Sequence, residues 1–126
     1  MSQMTQRLLV IGGNGFIGRH VVEHAIGLDW HVSSLNLSIP RDSKKDSKID
    51  YIATDVTSKS KLMKVLAGAS YDYVVNCSGY IDHSLFSDGG WRVFDAHFLG
   101  VINLVEALKS SGLKVFVNIG SSDEYG

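Results

Sequence analysis

Short apolar runs alternate along the chain with longer stretches in which apolar residues recur every three or four positions. The runs consist of nearly continuous Val, Ile and Leu, which is typical of strands in a parallel sheet that is covered on both faces. They predict five buried strands, at residues 7–11, 31–37, 51–54, 73–77 and 115–119.

Three helices are predicted between these strands, because each intervening stretch carries one apolar face at the helical period. Their expected bounds are residues 16–28, 59–66 and about 91–110, and Gly112 is suited to a left-handed cap after the third helix. The alternation of strands and helices predicts an α/β fold, a doubly wound parallel sheet in three α/β/α layers. The residues expected on the apolar faces are Ile17, Val21, Ala25 and Leu28, then Leu62, Val65 and Leu66, and finally Trp91, Phe94, Phe98, Val101, Val105 and Leu108.

Composition narrows the class of protein without identifying it. The 126 residues suffice for one domain, residues 1–126, and a net charge of −1 gives no electrostatic reason to expect nucleic acid or an anionic membrane as partner. The single cysteine, Cys77, excludes an internal disulfide, and residues 1–7 contain no apolar segment of the kind that a secretion signal needs. We therefore expect a cytoplasmic protein.

A glycine-rich stretch, IGGNGFIG, occupies residues 11–18, between the first predicted strand and the first predicted helix. Glycines here allow a tight turn, the approach of a pyrophosphate to the backbone at Gly15, and close packing of the helix on the strand at Gly18. The N–H groups of residues 14–17 are expected to face the phosphates, because a helix N-terminus leaves them without acceptors. The alternative is a glycine turn without a ligand. The residues predicted to bind the cofactor here are Gly12, Gly15, Phe16, Ile17 and Gly18.

The second predicted strand ends near Asn36, where a dinucleotide site usually has an acidic residue for the ribose 2′-hydroxyl. Asn36 can hydrogen-bond a ribose hydroxyl, yet it would not repel a 2′-phosphate. Arg41, Lys44 or Lys45 could pair with that phosphate if the loop folds back, although Arg41 could equally face solvent. The sequence therefore leaves both NAD and NADP open as cofactors.

Several spaced segments together resemble the extended short-chain dehydrogenase/reductase proteins, and among them the NAD-dependent epimerase/dehydratase family that modifies nucleotide sugars. GGNGFIG is similar to that family's first-strand fingerprint, ATDVTS (residues 53–58) to the segment after its third strand, and NCSGY (residues 76–80) to the segment after its fourth. The resemblance implies a Rossmann fold in which Asp55 and Val56 meet the adenine, and Ser78 and Gly79 line the dinucleotide. From the residues alone, Asp55 could equally cap the next helix. Cys77 is expected to be a small buried residue rather than a nucleophile.

The segment IGSSDEYG (residues 119–126) resembles the end of the family's fifth strand, where Ser or Thr lies four residues before a Tyr-Gly pair. The resemblance implies that Ser121 hydrogen-bonds the C4 oxygen of the sugar during hydride transfer, and that Asp123 is the acid that helps to eliminate water in the family's dehydratases. It also implies a nucleotide sugar as substrate, while the reaction stays open between epimerase, dehydratase and 4-reductase. The alternative is a polar turn at the end of a strand.

No tyrosine in the chain is followed four residues later by lysine, although the family's proton donor belongs to a Tyr-x-x-x-Lys pair. We therefore expect residues 1–126 to be the N-terminal, cofactor-binding part of a longer enzyme, an incomplete Rossmann domain without the substrate domain. This part alone should bind cofactor weakly and turn over nothing, and the full-length protein is expected to be a homodimer.

Two other functions stay open on the sequence. A regulatory protein could use the same fold to sense NAD(P) without catalysis, and a reductase of small carbonyl compounds could use the same cofactor site.

His20 and His24 have the spacing of two zinc ligands on one helix, but no third ligand is evident nearby. No metal site is predicted.

Overall fold

The computed structural model describes residues 5–41, 45–77, 99–109 and 112–119. Five strands lie in these ranges: β1 (Arg7–Ile11), β2 (His31–Asn36), β3 (Ile49–Ala53), β4 (Tyr73–Asn76) and β5 (Val115–Asn118). Three helices accompany them: α1 (Phe16–Gly27), α2 (Lys59–Val65) and α3 (Gly100–Leu108). None of these helices is long and apolar enough to cross a membrane.

The five strands form one parallel sheet in the order β3-β2-β1-β4-β5. The chain therefore builds outward from β1 in one direction and then crosses back to build outward in the other, which confirms the doubly wound α/β fold. The order reverses between β1 and β4, and ligands of open α/β sheets bind beside such a reversal, at the carboxyl ends of the strands.

Two apolar clusters cover the two faces of the sheet. On one face, α1 packs through Val22 and Ala25 onto three strand residues, Leu8, Val10 and Val32. On the other, α2 and α3 pack through Leu62, Leu66, Leu104 and Leu108 onto Leu9, Ile11, Leu35 and Val74. Alternate residues of β1 point into opposite clusters, as a strand covered on both faces requires.

The predicted apolar faces of all three helices are wrong in part. In α1, Ile17 is half exposed, as is Leu28 directly after the helix, while Gly18, Val22 and Ala25 form the buried row. In α3, Val105 is exposed, and the buried residues are Gly100, Asn103, Leu104 and Leu108. Val65 of α2 is exposed as well. The apolar residues of each helix thus span a wider face than the sheet covers, so their periodicity alone does not show which side of the helix is buried.

Strand bounds differ from the prediction chiefly at β3, which begins at Ile49 rather than at residue 51, since Ile49 pairs with Val32 of β2. Gly112 has a φ of 83°, the left-handed conformation expected for it. The segment expected to begin the third helix, residues 91–98, lies outside the described residues.

Candidate functional site

The glycine loop turns sharply as it leaves β1. Gly12 has a φ of 80°, a conformation that residues with a Cβ rarely adopt. Its N–H still donates to the Leu35 carbonyl at 2.7 Å, and its own carbonyl accepts from the Gly15 N–H at 3.0 Å. The loop therefore remains tied to β2 while it reverses toward the N-terminus of α1.

Gly18 lets α1 pack directly on this loop. A Cβ at Gly18 would overlap the Gly12 carbonyl oxygen, and it would lie 2.8 Å from the Gly12 carbonyl carbon and 2.9 Å from Gly13 Cα. All three atoms belong to the backbone, so no side-chain rotation could make room. This close approach also explains why the row through Gly18 is buried in α1 rather than the row through Ile17.

Gly13 has a packing partner that the sequence analysis did not identify. A Cβ at Gly13 would overlap Ser34 Oγ and lie 3.0 Å from Ser34 Cβ, and Ser34 is almost fully buried in the middle of β2. A small residue is therefore required on both sides of this contact. The signal in the sequence was the pair of small serines at the centre of the second predicted strand.

The expectation that the four amides of residues 14–17 are free is wrong for two of them. The Asn14 N–H donates to Asn36 Oδ1 at 3.0 Å, and the Gly15 N–H closes the turn onto Gly12. Within the described residues, the N–H groups of Phe16, Ile17 and Gly18 have no acceptor. They lie in the first turn of α1, where the helix dipole adds partial positive charge.

Asn36 lies at the carboxyl end of β2, half-buried beside the loop. Its Nδ2 donates to Ser34 Oγ at 2.9 Å, so both polar atoms of the amide have partners. Arg41 is exposed. The structure therefore places Asn36 next to the glycines, as the motif spacing predicts, while its role toward a ribose stays a prediction.

Asp55 does not cap the next helix, because the N-cap residue of α2 is Ser58. Its carboxylate instead accepts hydrogen bonds from the Thr57 N–H at 2.9 Å and the Thr57 hydroxyl at 2.7 Å. These two bonds hold the pKa of Asp55 below its ordinary value. The Val56 carbonyl accepts from Asn103 Nδ2 of α3 at 2.8 Å, so the turn after β3 is fixed at both residues.

The ends of β4 and β5 lie side by side at the same edge of the sheet. Asn76 of β4 is buried, and its Nδ2 donates to Asn118 Oδ1 of β5 at 2.8 Å. Burial raises the pKa of the Cys77 thiol, which opposes a role as a nucleophile. Ser78, Gly79, Ser121 and Asp123 follow these strands in the sequence and lie outside the described residues.

His20 and His24 are both exposed on α1. The His20 ring packs edge-on against Phe16, with ring centroids 5.0 Å apart. Across the ranges that the structure describes, no three His, Cys, Asp or Glu side chains cluster as metal ligands would.

Known proteins with similar sequences and structures indicate the family of this chain. Residues 8–126 match the NAD dependent epimerase/dehydratase family. A bifunctional UDP-glucose 4-epimerase and UDP-xylose 4-epimerase from Pisum sativum is 27% identical over 138 aligned residues, which cover 100% of this chain and 39% of that protein. The chain thus spans about two fifths of the length of this relative.

Two further similar proteins differ in the substrates for which they are named. The crystal structure of a UDP-galactose 4-epimerase superposes with a TM-score of 0.79 at 25% identity, and the match covers 96% of this chain and 40% of that one. A sterol-4-alpha-carboxylate 3-dehydrogenase (decarboxylating) from Bos taurus is 24% identical over 117 residues, 93% of this chain and 31% of that protein. The chain is therefore similar both to proteins named for UDP-sugars and to one named for a sterol.

Proposed function

Because the chain belongs to the NAD-dependent epimerase/dehydratase family, we propose that it provides the dinucleotide-binding part of an enzyme acting on a nucleotide sugar. The reaction class is that of an epimerase, dehydratase or 4-reductase. One observation carries the proposal: the amides of Phe16, Ile17 and Gly18 lack acceptors among the described residues, beside the reversal of strand order.

The described residues fit a dinucleotide. The pyrophosphate would accept hydrogen bonds from the Phe16 and Ile17 amides, as anions do at helix N-termini. A Cβ at Gly15 would lie 3.3 Å from the Gly12 carbonyl oxygen, a tight contact, so glycine suits the turn that leads into these amides. Gly12 and Gly18 hold the loop and helix in the required contact.

The adenosine end of the dinucleotide would lie along the ends of β2 and β3. Asn36 ends β2, and its neutral amide adds no charge that would repel a 2′-phosphate. Asp55 and Val56 follow β3 and would meet the adenine, in a turn that Thr57 and Asn103 hold in place. We propose that Ser78 and Gly79 line the dinucleotide where the chain leaves β4. NAD is the cofactor proposed first, because the family is NAD dependent.

When bound, the nicotinamide supplies a reversible acceptor for hydride. We propose that the Ser121 hydroxyl donates a hydrogen bond to the sugar oxygen at the carbon that is oxidised and reduced, which lowers the cost of charge developing on that oxygen. Asp123, two residues further on, would provide a carboxyl group for the elimination of water in a dehydratase. Nucleotide sugars are proposed as the substrate class because the plant and bacterial relatives include UDP-glucose 4-epimerases.

The donor role of the helix N-terminus can be tested by removing a single N–H. Phe16 is the first residue of α1, where proline is tolerated, and Gly15 before it has the extended backbone (φ −78°, ψ 176°) that a following proline requires. Phe16→Pro should bind NAD at least about tenfold more weakly than Phe16→Ala, which keeps the N–H, since a hydrogen bond to a charged group contributes about 1.5–3 kcal/mol. Isothermal titration calorimetry measures both affinities, and circular dichroism checks that both variants fold.

Equal NAD affinity for the two Phe16 variants would exclude that amide as a phosphate donor. Failure of the unsubstituted protein to bind NAD, NADH or NADPH would contradict the proposal as a whole. Conversion of UDP-glucose to UDP-galactose by the full-length protein, followed by proton NMR and lost in Ser121→Ala, would support the sugar assignment.

The sterol dehydrogenase relative favours a second candidate, a dehydrogenase of a non-sugar alcohol. Reduction of NAD by a hydroxysteroid in the full-length protein, without conversion of any UDP-sugar, would support this candidate instead. Binding of NAD by the full-length protein without turnover of either substrate class would leave a regulatory sensor as the better description.

A further inference from the structure

The Asn36 amide joins two parts of the candidate site that are distant in sequence. Its oxygen accepts from the Asn14 N–H at 3.0 Å, 22 residues away, and its nitrogen donates to Ser34 Oγ at 2.9 Å. A backbone N–H can only donate, so the atom facing Asn14 must be the oxygen, and the nitrogen is left for Ser34. The orientation of the amide therefore follows from its neighbours.

The partners of Asn36 are themselves held in place. Ser34 is almost fully buried and sits directly against Gly13, so the position of its hydroxyl oxygen is fixed, although the O–H can still rotate. The Asn36 carbonyl also accepts from the Thr54 N–H at 2.9 Å, which anchors the residue to the end of β3. A fixed side chain thus holds the Asn14 peptide, immediately before the first turn of α1.

We propose that Asn36 is a positioning residue for the glycine loop, and that its effect on dinucleotide affinity acts through the pyrophosphate rather than through a contact with the adenosine ribose. The proposal rests on the proposed function, because it assumes that the loop holds a pyrophosphate. Asn14 precedes Phe16 by two residues, so fixing its peptide helps to fix where the unpaired amides point before any ligand arrives. Such pre-organisation raises affinity by reducing the ordering that binding requires.

A neutral amide is suited to this task. It accepts from the loop and donates to Ser34 at the same time, whereas aspartate could only accept. Asn36→Asp should therefore keep the bond to the Asn14 N–H while the Ser34 hydroxyl rotates to donate. Asn36→Ala loses both bonds, and Ser34→Ala loses only the bond to the nitrogen.

The test compares two ligands that share the adenosine ribose. ADP-ribose carries the pyrophosphate, and adenosine does not. By titration calorimetry and NMR shift titration, Asn36→Ala should weaken ADP-ribose binding by about fivefold, the effect of one neutral hydrogen bond, and leave adenosine binding unchanged. Asn36→Asp should restore the ADP-ribose affinity, and Ser34→Ala should have a smaller effect than Asn36→Ala.

A second readout does not depend on ligand. Hydrogen exchange of the Asn14 amide in the unliganded protein should accelerate in Asn36→Ala and return to the original rate in Asn36→Asp. An equal loss of affinity for both ligands would overturn the proposal in favour of a ribose contact, and an unchanged exchange rate would overturn the positioning role. If the unsubstituted protein binds no dinucleotide, the proposed function fails, while the exchange measurement still decides whether Asn36 holds the loop.

Discussion

Gly18→Ala offers a direct test of how the glycine loop and α1 depend on each other. The added Cβ would lie 2.8 Å from the Gly12 carbonyl carbon, where a carbon–carbon contact needs about 3.5 Å. Helix and loop must therefore separate by roughly 0.7 Å or more at this point, and further where the Cβ overlaps the Gly12 oxygen. Overpacking of this kind costs about 1–3 kcal/mol. We expect about 2–3 kcal/mol, because every obstructing atom belongs to the backbone and cannot rotate away.

Gly27→Ala is the matched control. Gly27 lies at the end of the same helix, and a Cβ there would meet nothing within 4 Å. The same chemical change should therefore raise the free energy of unfolding by about 0.4–1 kcal/mol, because alanine restricts the unfolded chain more than glycine does. Urea denaturation followed by circular dichroism measures both variants against the unsubstituted protein.

The two variants should also differ in NAD affinity. Displacing the loop moves the Phe16 and Ile17 amides, so Gly18→Ala should bind about tenfold more weakly, the equivalent of one hydrogen bond to a charged group, while Gly27→Ala should bind normally. The reasoning would be refuted if Gly18→Ala were as stable as Gly27→Ala and bound NAD equally well.

Two further predictions concern the helix faces and the turn after β3. Leu104→Ala should lower the free energy of unfolding by about 2–5 kcal/mol, because Leu104 is fully buried. Val105→Ala on the exposed side of α3 should change it by less than about 0.5 kcal/mol. Equal losses of stability would mean that α3 buries a different side. The hydrogen bonds from Thr57 lower the pKa of folded Asp55, so their contribution to stability is present above the ordinary carboxyl pKa and is lost as pH falls through the folded-state pKa. Thr57→Val should therefore destabilise the protein near neutral pH. Urea titrations at roughly pH 7 and roughly pH 3 should show that its loss of unfolding free energy, relative to the unsubstituted protein, shrinks in acid. A loss that does not change with pH would exclude this role for Asp55.

Much of the architecture was predictable because it depends on short-range patterns. Nearly continuous apolar runs identify buried strands, and glycines between the first strand and the first helix identify the turn at Gly12 and the close contact at Gly18. These features depend on which residues are small or apolar at neighbouring positions, and that information is local. The resemblance to the epimerase/dehydratase family is confirmed by the match over residues 8–126.

The tasks of the polar side chains were not predictable in the same way. The sequence did not indicate that the Asn36 amide binds Asn14 and Ser34, and its role toward a ribose stays a prediction. Asp55 binds Thr57 rather than capping α2. A hydrogen-bond partner 22 residues away, such as Asn14 for Asn36, depends on where the loop and strand come to lie. The spacing of two residues along the sequence does not indicate whether their side chains and backbone groups meet in the folded protein.

By itself, then, the sequence determined the parallel α/β sheet, the position of the glycine loop and the family, because these depend on local periodicity and on residue size. Only the tertiary structure decided which row of α1 is buried and which amides remain available at its N-terminus. Contact of Gly18 with the Gly12 carbonyl sets the rotation of α1, and the bond from Asn14 to Asn36 removes one donor. The glycine pattern indicates that a close contact occurs, but the side of α1 that it buries depends on how the helix meets the loop, and the Asn36 side chain reaches Asn14 only because folding brings residues 22 positions apart together.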